Sequence, residues 1–318
     1  KGRVANLPAK QTRHRGNVRH NTTKGRERLM KLLEADKLGS CPIDSVKLSD
    51  AKEWALRMKE KGISYKTISN DKRSLKAAFY TAIQDDCIRK NPFDFQLNTV
   101  IEDDTEPKVP LTAEQEESLL SFMESDSVYQ KYRDEVIILL GTGLRISELC
   151  GLTDTDLDFE SRVINVDHQL LRSAETGYYI EKPKTQSGIR QIPMSEKVYE
   201  ALGRVLENRK GAKATTIDGY SNFLFLNRDG CPKTATSYDN MFRGLAKKYN
   251  KCHEEALPKV MTPHTLRHTF CTNLANAGMN PKALQYIMGH SNITMTLNYY
   301  AHATFASARA EMERLIAA

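Results

Sequence analysis

Near the end of the chain stands MGHSNITMTLNYYAH, residues 288–302: a histidine behind a glycine, a short polar run, then two adjacent tyrosines. A phenol, with an ordinary pKa near ~10, is a weak nucleophile at neutral pH unless a base or a cation-lined pocket helps it. Other stretches supply such groups. TPHTLRHTF places His264 and Arg267 three residues apart, on one face of a helix. GTGLRISELCGL puts Arg145 at a glycine-flanked turn, with Glu148 three residues on to pair with it or hold its orientation. EKPKTQSGIRQIP carries Lys182 and Lys184 on an expected hairpin that reaches toward a cleft. Each motif alone has an ordinary structural reading, as a helix-face cation pair, a buried ion pair or a solvated lysine.

Taken together they form a chemical set. Two arginines neutralise the non-bridging oxygens of a phosphodiester as charge builds up. Histidines move protons, a lysine protonates the departing sugar oxygen, and a tyrosine attacks. Metal is disfavoured: His264 and His268 stand at i and i+4, but Thr265 occupies the place where the zinc-protease pattern needs glutamate. Cys41, Cys87, Cys150, Cys231, Cys252 and Cys271 form no C-x-x-C pair, so zinc is not expected either. No cofactor is expected. The thiols read as reduced and mostly buried, in a cytoplasmic protein. No apolar run reaches the ~20 residues of a membrane span.

The elements that must position these groups are mainly helical. Residues 1–22 are basic and bear Gly and Pro, as an extended arm would. Residues 23–96 repeat apolar positions at three- and four-residue spacing, which predicts a helical bundle with N-caps at Ser49 and Ser64 and a helix break at Pro92. Residues 97–110 are acidic, proline-bearing and aperiodic, as a linker would be. Residues 111–300 are mixed. Thr112 and Gln115 open the first helix as a capping box. SRVINVDHQLLRS, GYYIEKPKT and SGIRQIPM alternate as a small antiparallel sheet, with NFLFLNRDG as a further strand. The closing helices start at Thr262, Asn280 and about Asn292, the first two with proline at the first helical position. The fold class expected is mainly α with a small antiparallel sheet, a helical N-terminal domain followed by a mixed α/β domain. Residues 301–318 read as an amphipathic tail helix.

Charge points to the partner. The net charge is +7, but residues 1–100 hold 22 basic against 11 acidic side chains, and residues 1–33 hold ten against one. That asymmetry suits a polyanion, because each cation that meets a phosphate releases counterions. The candidate DNA contacts are Arg13, Arg15 and Arg19 on the arm and Lys24, Lys66, Lys72, Arg73 and Lys76 on the bundle.

The set TGLRISEL, the hairpin KT, HTLRHTF, MGHSN and a tyrosine nine residues after the last histidine resembles the tyrosine recombinases. These include phage integrases, the Xer and Cre enzymes and the integrases of conjugative transposons, whose wording is the nearest. The match covers most of residues 108–300, and the bundle looks more weakly like the family's core-binding domain. The resemblance implies catalytic roles for Arg145, Lys184, His264, Arg267, His290 and Tyr299, with Glu148 orienting Arg145. It selects Tyr299 over Tyr300 as nucleophile. It further implies a 3′-phosphotyrosine intermediate, four protomers exchanging strands between two duplexes through a Holliday junction, tail exchange between protomers, and an excisionase as accessory partner. The expected outcome is integration or excision of a mobile element without ATP or metal. Many such integrases also carry an N-terminal arm-binding domain, and no segment here resembles one. The rival readings are a type IB topoisomerase, which usually has Lys in place of His264, and a non-catalytic DNA-binding protein.

Overall fold

The computed structural model describes residues 3–4, 20–106, 109–209, 215–258 and 260–300, together with 309, 312, 313 and 316. It divides into two compact units, Lys1–Pro107 and Lys108–Ala318. Arg13, Arg15 and Arg19 lie outside the described residues, as does most of the 301–318 tail.

The first unit is a bundle of α1 (His20–Glu34), α2 (Lys37–Ser40), α3 (Leu48–Glu60) and α4 (Tyr65–Gln84). Apolar residues at helical spacing, Trp54 and Met58 on α3 and Ile68, Leu75 and Phe79 on α4, meet in one core with Leu29 and Leu33. Ser64 caps α4 as expected, accepting from the Thr67 amide. Ser49 does not cap α3. The helix starts one residue earlier, where the Asp50 carboxylate accepts from the Lys47 amide at 2.8 Å and takes over the task. The last helix also stops sooner than Pro92 suggests. It ends at Gln84, and Asp86 turns the chain at φ 54°. Asn91 then donates to the Lys76 carbonyl at 2.8 Å, and Phe93 enters the core edge-on to Trp54 at 5.8 Å. Leu97 and Ile101 are buried in the same core, so the segment 97–101 packs with the bundle.

The second unit contains α5 (Ala113–Ser125), α6 (Arg133–Thr142), α7 (Ile146–Gly151), α8 (Glu196–Asn208), α9 (Ala235–Cys252), α10 (Pro263–Asn276), α11 (Pro281–Met288) and α12 (Ile293–Leu297). The Thr112–Gln115 capping box is present at α5. The prolines of α10 and α11 occupy the first helical turn, with the Asn280 side chain accepting from the Lys282 and Ala283 amides.

The strands form two small antiparallel sheets rather than one. The chain supplies β1 (Leu157–Asp158), β2 (Val163–Val166), β3 (Gln169–Ser173), β4 (Gly177–Glu181) and β5 (Arg190–Pro193). In the first sheet β2 lies between β1 and β5, with Ile164 opposite Ile192; in the second, β3 pairs with β4, Leu171 opposite Tyr179. The expected strand at NFLFLNRDG is an irregular segment, buried at Phe223, Leu224 and Phe225 and exposed from Asn227 to Asp229, with bridges among the described residues only from Phe223 to Thr153 and from Leu226 to Pro232. Its two ends pair with different loops, so no partner runs alongside it long enough to make a ladder.

The core of this unit gathers Val136 and Leu139 of α6, Leu149 of α7, Ile164 and Ile192 of the sheet, Val198 and Leu202 of α8, Phe242 and Leu245 of α9 and Leu266 of α10. All six cysteines are free, but only Cys150 and Cys271 are buried. Cys87 follows the end of α4 and Cys252 ends α9, where helix termini leave the core, and both are exposed. No described helix is long and apolar enough to cross a membrane.

Candidate active site

Two helix C-termini build the floor of the site. α6 ends on Gly143 and α11 on Gly289, each in the left-handed conformation at φ 61° and 60°. Helix ends leave carbonyls without intrahelical partners, and their dipoles favour cations. Both site arginines are held there. Arg267, buried on α10, donates to the carbonyls of Gly143 and Met288. Arg145, at the N-cap of α7, donates to the Gly289 carbonyl at 2.8 Å. Glycine is needed at Gly143 for space as well as for φ, because a Cβ there would lie 2.4 Å from a Phe270 ring carbon.

Glu148 fixes the other side of Arg145. Its carboxylate accepts from the Arg145 guanidinium at 2.6 Å and from the Arg145 amide at 2.9 Å. It also accepts both terminal nitrogens of Arg190, at 3.1 and 2.9 Å. Burial alone would raise the Glu148 pKa. The hydrogen-bonded charge of Arg190, joined by Arg145 and Arg267, overrides it and holds the group down at about 2. The Arg267 pKa is lowered too, but by burial and the like charge of Arg145, which bring it to about 9, so it stays a cation at neutral pH.

Arg190 was not among the residues singled out by chemistry. The one signal in the sequence is its phase: it alternates with Ile192 on the inward face of β5, a charged group in register with an apolar side.

His290, buried just past Gly289, places Nδ1 3.0 Å from the Thr296 hydroxyl. Burial, followed by repulsion from Arg267, Arg145, Arg190 and His264, lowers it to about 4, so the imidazole is neutral at neutral pH. His264 is exposed on the first turn of α10, close enough to act on His290.

The two tyrosines following α12 are disposed differently. The Tyr300 hydroxyl donates to the Met279 carbonyl at 2.5 Å. The Tyr299 ring leans on His268, centroids 4.8 Å apart and tilted by 58°, and among the described residues its hydroxyl makes no hydrogen bond. Both rings pack on the cluster of Cys271, Ala275, Leu284 and Met288. The expected help from a cation-lined pocket is outweighed here. Burial raises the Tyr299 phenol above its usual value and Cys271 adds to the rise, while Arg267 only partly opposes it.

Arg145, Glu148, Arg267, His264, His290 and Tyr299 are therefore gathered by shared contacts or mutual fields. Lys184 is not gathered by any contact. It lies in the connection from β4 to β5, outside the hairpin turn at 174–176, where it is exposed and forms no hydrogen bond or ion pair among the described residues. In the bundle, Lys24, Lys66 and Arg73 are exposed. Lys72 instead donates to the Phe95 carbonyl and lies over its ring, and Lys76 pairs with Asp94. The cluster of Asp156, Asp167 and His168 has the outline of a metal site. Both His168 nitrogens are already engaged, one by Asp167 at 2.6 Å and one by the Gly151 carbonyl at 2.8 Å, so the cluster reads as a tie at the end of α7.

Comparison with known proteins gives the family. The phage integrase family pattern matches residues 110–307. The transposase of transposon Tn916 from Enterococcus faecalis is 65% identical over 312 residues, covering 98% of this chain and 77% of the relative. The tyrosine recombinase XerC of Bacillus pumilus is 30% identical over 84% of this chain and 80% of its own length. Among solved structures, the Tn1549 transposon integrase in complex with a circular intermediate DNA is 76% identical, with a TM-score of 0.95 over 99% of this chain and all of that one. The solved Tn1549 chains include an arginine-to-lysine and a tyrosine-to-phenylalanine variant, at positions separated by the same number of residues as Arg145 and Tyr299. With family and fold in agreement, the chain belongs to the phage integrase family and is a site-specific tyrosine recombinase of the transposon-integrase type.

Proposed function

We propose that this recombinase cuts and rejoins double-stranded DNA at the ends of a mobile element through a 3′-phosphotyrosine on Tyr299. One observation carries the assignment: of two adjacent phenols, Tyr300 is tied to a backbone carbonyl while the Tyr299 hydroxyl remains uncommitted among the described residues, beside Arg267.

In the step, Tyr299 Oη attacks phosphorus, the bond to the 5′ oxygen breaks, and the phenol loses its proton. Arg145 and Arg267 neutralise the non-bridging oxygens, their guanidinia held in place by Glu148 and by the helix-end carbonyls. Because the phenol pKa is raised, a base is required, and His290, neutral at neutral pH, or His264 beside it is suited to the task. Lys184, on its exposed loop, protonates the leaving 5′ oxygen once DNA draws the loop in. A 5′-hydroxyl of the partner duplex then attacks the phosphotyrosine and releases Tyr299. One phosphodiester replaces another, so the balance needs neither ATP nor metal.

The finer assembly belongs to the same proposal: four protomers on two duplexes, a Holliday junction intermediate, exchange of the 301–318 tail, and an excisionase that biases direction, all in the bacterial cytoplasm. The helical bundle grips the core site through the arm residues Arg13, Arg15 and Arg19 and through Lys24, Lys66 and Arg73. Lys72 and Lys76 join only if DNA displaces their contacts to the Asp94–Phe95 segment. The Tn1549 integrase has been solved on transposon right-end DNA, which supplies the probe. A nicked suicide duplex carrying that sequence should trap a covalent adduct with this chain, with the linked peptide containing Tyr299. Tyr299→Phe should abolish the adduct and Tyr300→Phe should retain it. The opposite pattern overturns the assignment.

A further inference from the structure

Arg190 opens β5 on its inward face, and its side chain is fully buried. A buried guanidinium with unmet donors is costly, so its contacts report where it is locked. Nε donates to the Ile287 carbonyl at 2.6 Å, and one terminal nitrogen donates to the Gly188 carbonyl at 3.1 Å. The same nitrogen and its twin grip the two oxygens of Glu148 in a fork. One side chain thereby joins β5, α7, the end of α11 and the base of the loop that carries Lys184. Ile287 immediately precedes Met288 and Gly289, whose carbonyls hold Arg267 and Arg145. The fit is close: a Cβ on Gly289 would lie 3.1 Å from Cδ and from a terminal nitrogen of Arg190. A Cβ on Gly188 would lie 2.4 Å from Pro183, which packs against the loop base.

We propose that Arg190 is a positioning residue for strand cleavage, keeping the Glu148 carboxylate aligned on Arg145 and the end of α11 seated against β5. It touches no reacting atom. Its effect passes through Glu148, and the proposal rests on the catalytic roles given above to Arg145 and Arg267.

The charged groups facing Glu148 are Arg145 from its own helix, Arg190 from β5 and Arg267 from α10, while the nearby His290 is neutral at neutral pH. With Arg190 gone, burial, the largest influence on Glu148, pushes its pKa upward against two cations instead of three. The variant then protonates Glu148 as the pH falls, and Arg145 loses the anion that orients it.

The test is the first-order rate of adduct formation on the suicide duplex at saturating protein, near neutral-acid and alkaline pH. Arg190→Gln should slow it by about tenfold or more at roughly pH 6 and by about threefold at roughly pH 8.5, with affinity for uncleaved duplex unchanged within about twofold. Combined with Glu148→Gln, it should add little to the slower single variant, since the two act along one path. Arg190→Lys, which keeps the charge without the fork, should recover part of the rate at low pH. Equal slowing at both pH values, multiplicative losses in the double variant, or a wild-type rate in Arg190→Gln overturns the proposal. If Arg190→Gln shows no cooperative thermal transition, Arg190→Lys takes its place in the same cycle. Peptide mapping of the adduct judges the Tyr299 assignment separately, because the rate comparison holds whichever tyrosine is linked.

Discussion

The Arg145 guanidinium donates to the Gly289 carbonyl at 2.8 Å across 144 positions of chain. Arg267 makes the complementary link, from α10 to the Gly143 carbonyl that lies two residues before Arg145. Each arginine thus stabilises the C-terminus of a helix and, in the same geometry, is prevented from swinging away. A guanidinium that is already placed loses less conformational freedom when it receives a phosphate.

Gly289 is constrained by conformation and by space, with φ 60° and a Cβ position 3.0 Å from the Ser187 carbonyl oxygen. Gly289→Ala should destabilise the chain by about 1–3 kcal/mol. It should also slow adduct formation, because the Arg145 anchor shifts. Thermal unfolding alongside the suicide-duplex assay checks both, and an unchanged melting temperature would contradict the strain argument.

Glu148 is the counter-charge for a fully buried Arg190. Glu148→Ala leaves that cation without its partner and should cost about 3–5 kcal/mol in urea unfolding. Arg145→Ala removes a side chain that is 37% exposed and should cost much less stability while abolishing cleavage. Comparable stability losses for the two variants would show that the pair, rather than Arg190, sets the demand for the anion.

Two groups of the site contribute to the acid side of the stability profile. His290 falls from near 6.5 to about 4 on folding, and Glu148 from 4.5 to about 2. In each case the unfolded chain binds more protons within the interval, so stability present above it drains as the pH drops through it. The His290 contribution disappears between about pH 6.5 and 4 and that of Glu148 between about 4.5 and 2, each on the order of a few kcal/mol. Melting temperatures of His290→Gln should be flatter than wild type between about pH 6.5 and 4. A parallel decline in both would rule His290 out as the source.

His268 supports the face of Tyr299. His268→Ala should slow adduct formation by about threefold to tenfold, in line with an aromatic contact of ~0.5–1.5 kcal/mol. His268→Phe should restore most of the rate if the ring is a shelf. A Phe variant as slow as Ala would assign His268 a polar role instead.

Tyr300 anchors its segment through Met279. Tyr300→Phe should lower stability by about 0.5–1.5 kcal/mol without loss of the adduct. Measuring the melting temperature and the adduct on one preparation separates the two effects.

Much of this molecule is legible without coordinates because it is local. Ser64, Thr112 and Asn280 cap helices through amides two or three residues away, and Pro263, Pro281 and Gly289 mark helix ends by their own backbone restrictions. Arg145 and Glu148, three residues apart, meet within one turn, and the H-x-x-R spacing puts His264 and Arg267 on one helix face. What lies between distant segments had to come from the folded chain. Arg190 meets Glu148 across 42 positions and Ile287 across 97, distances at which no periodicity speaks. Ser49 and Asp50 competed for one cap, and only the backbone path decided between them. The exposed Lys184 loop, the division of the strands into two sheets and the tie from Tyr300 to Met279 follow from which surfaces pack together. Burial likewise raises the Tyr299 phenol despite the nearby cation, because desolvation depends on everything packed around a group rather than on its neighbours in sequence.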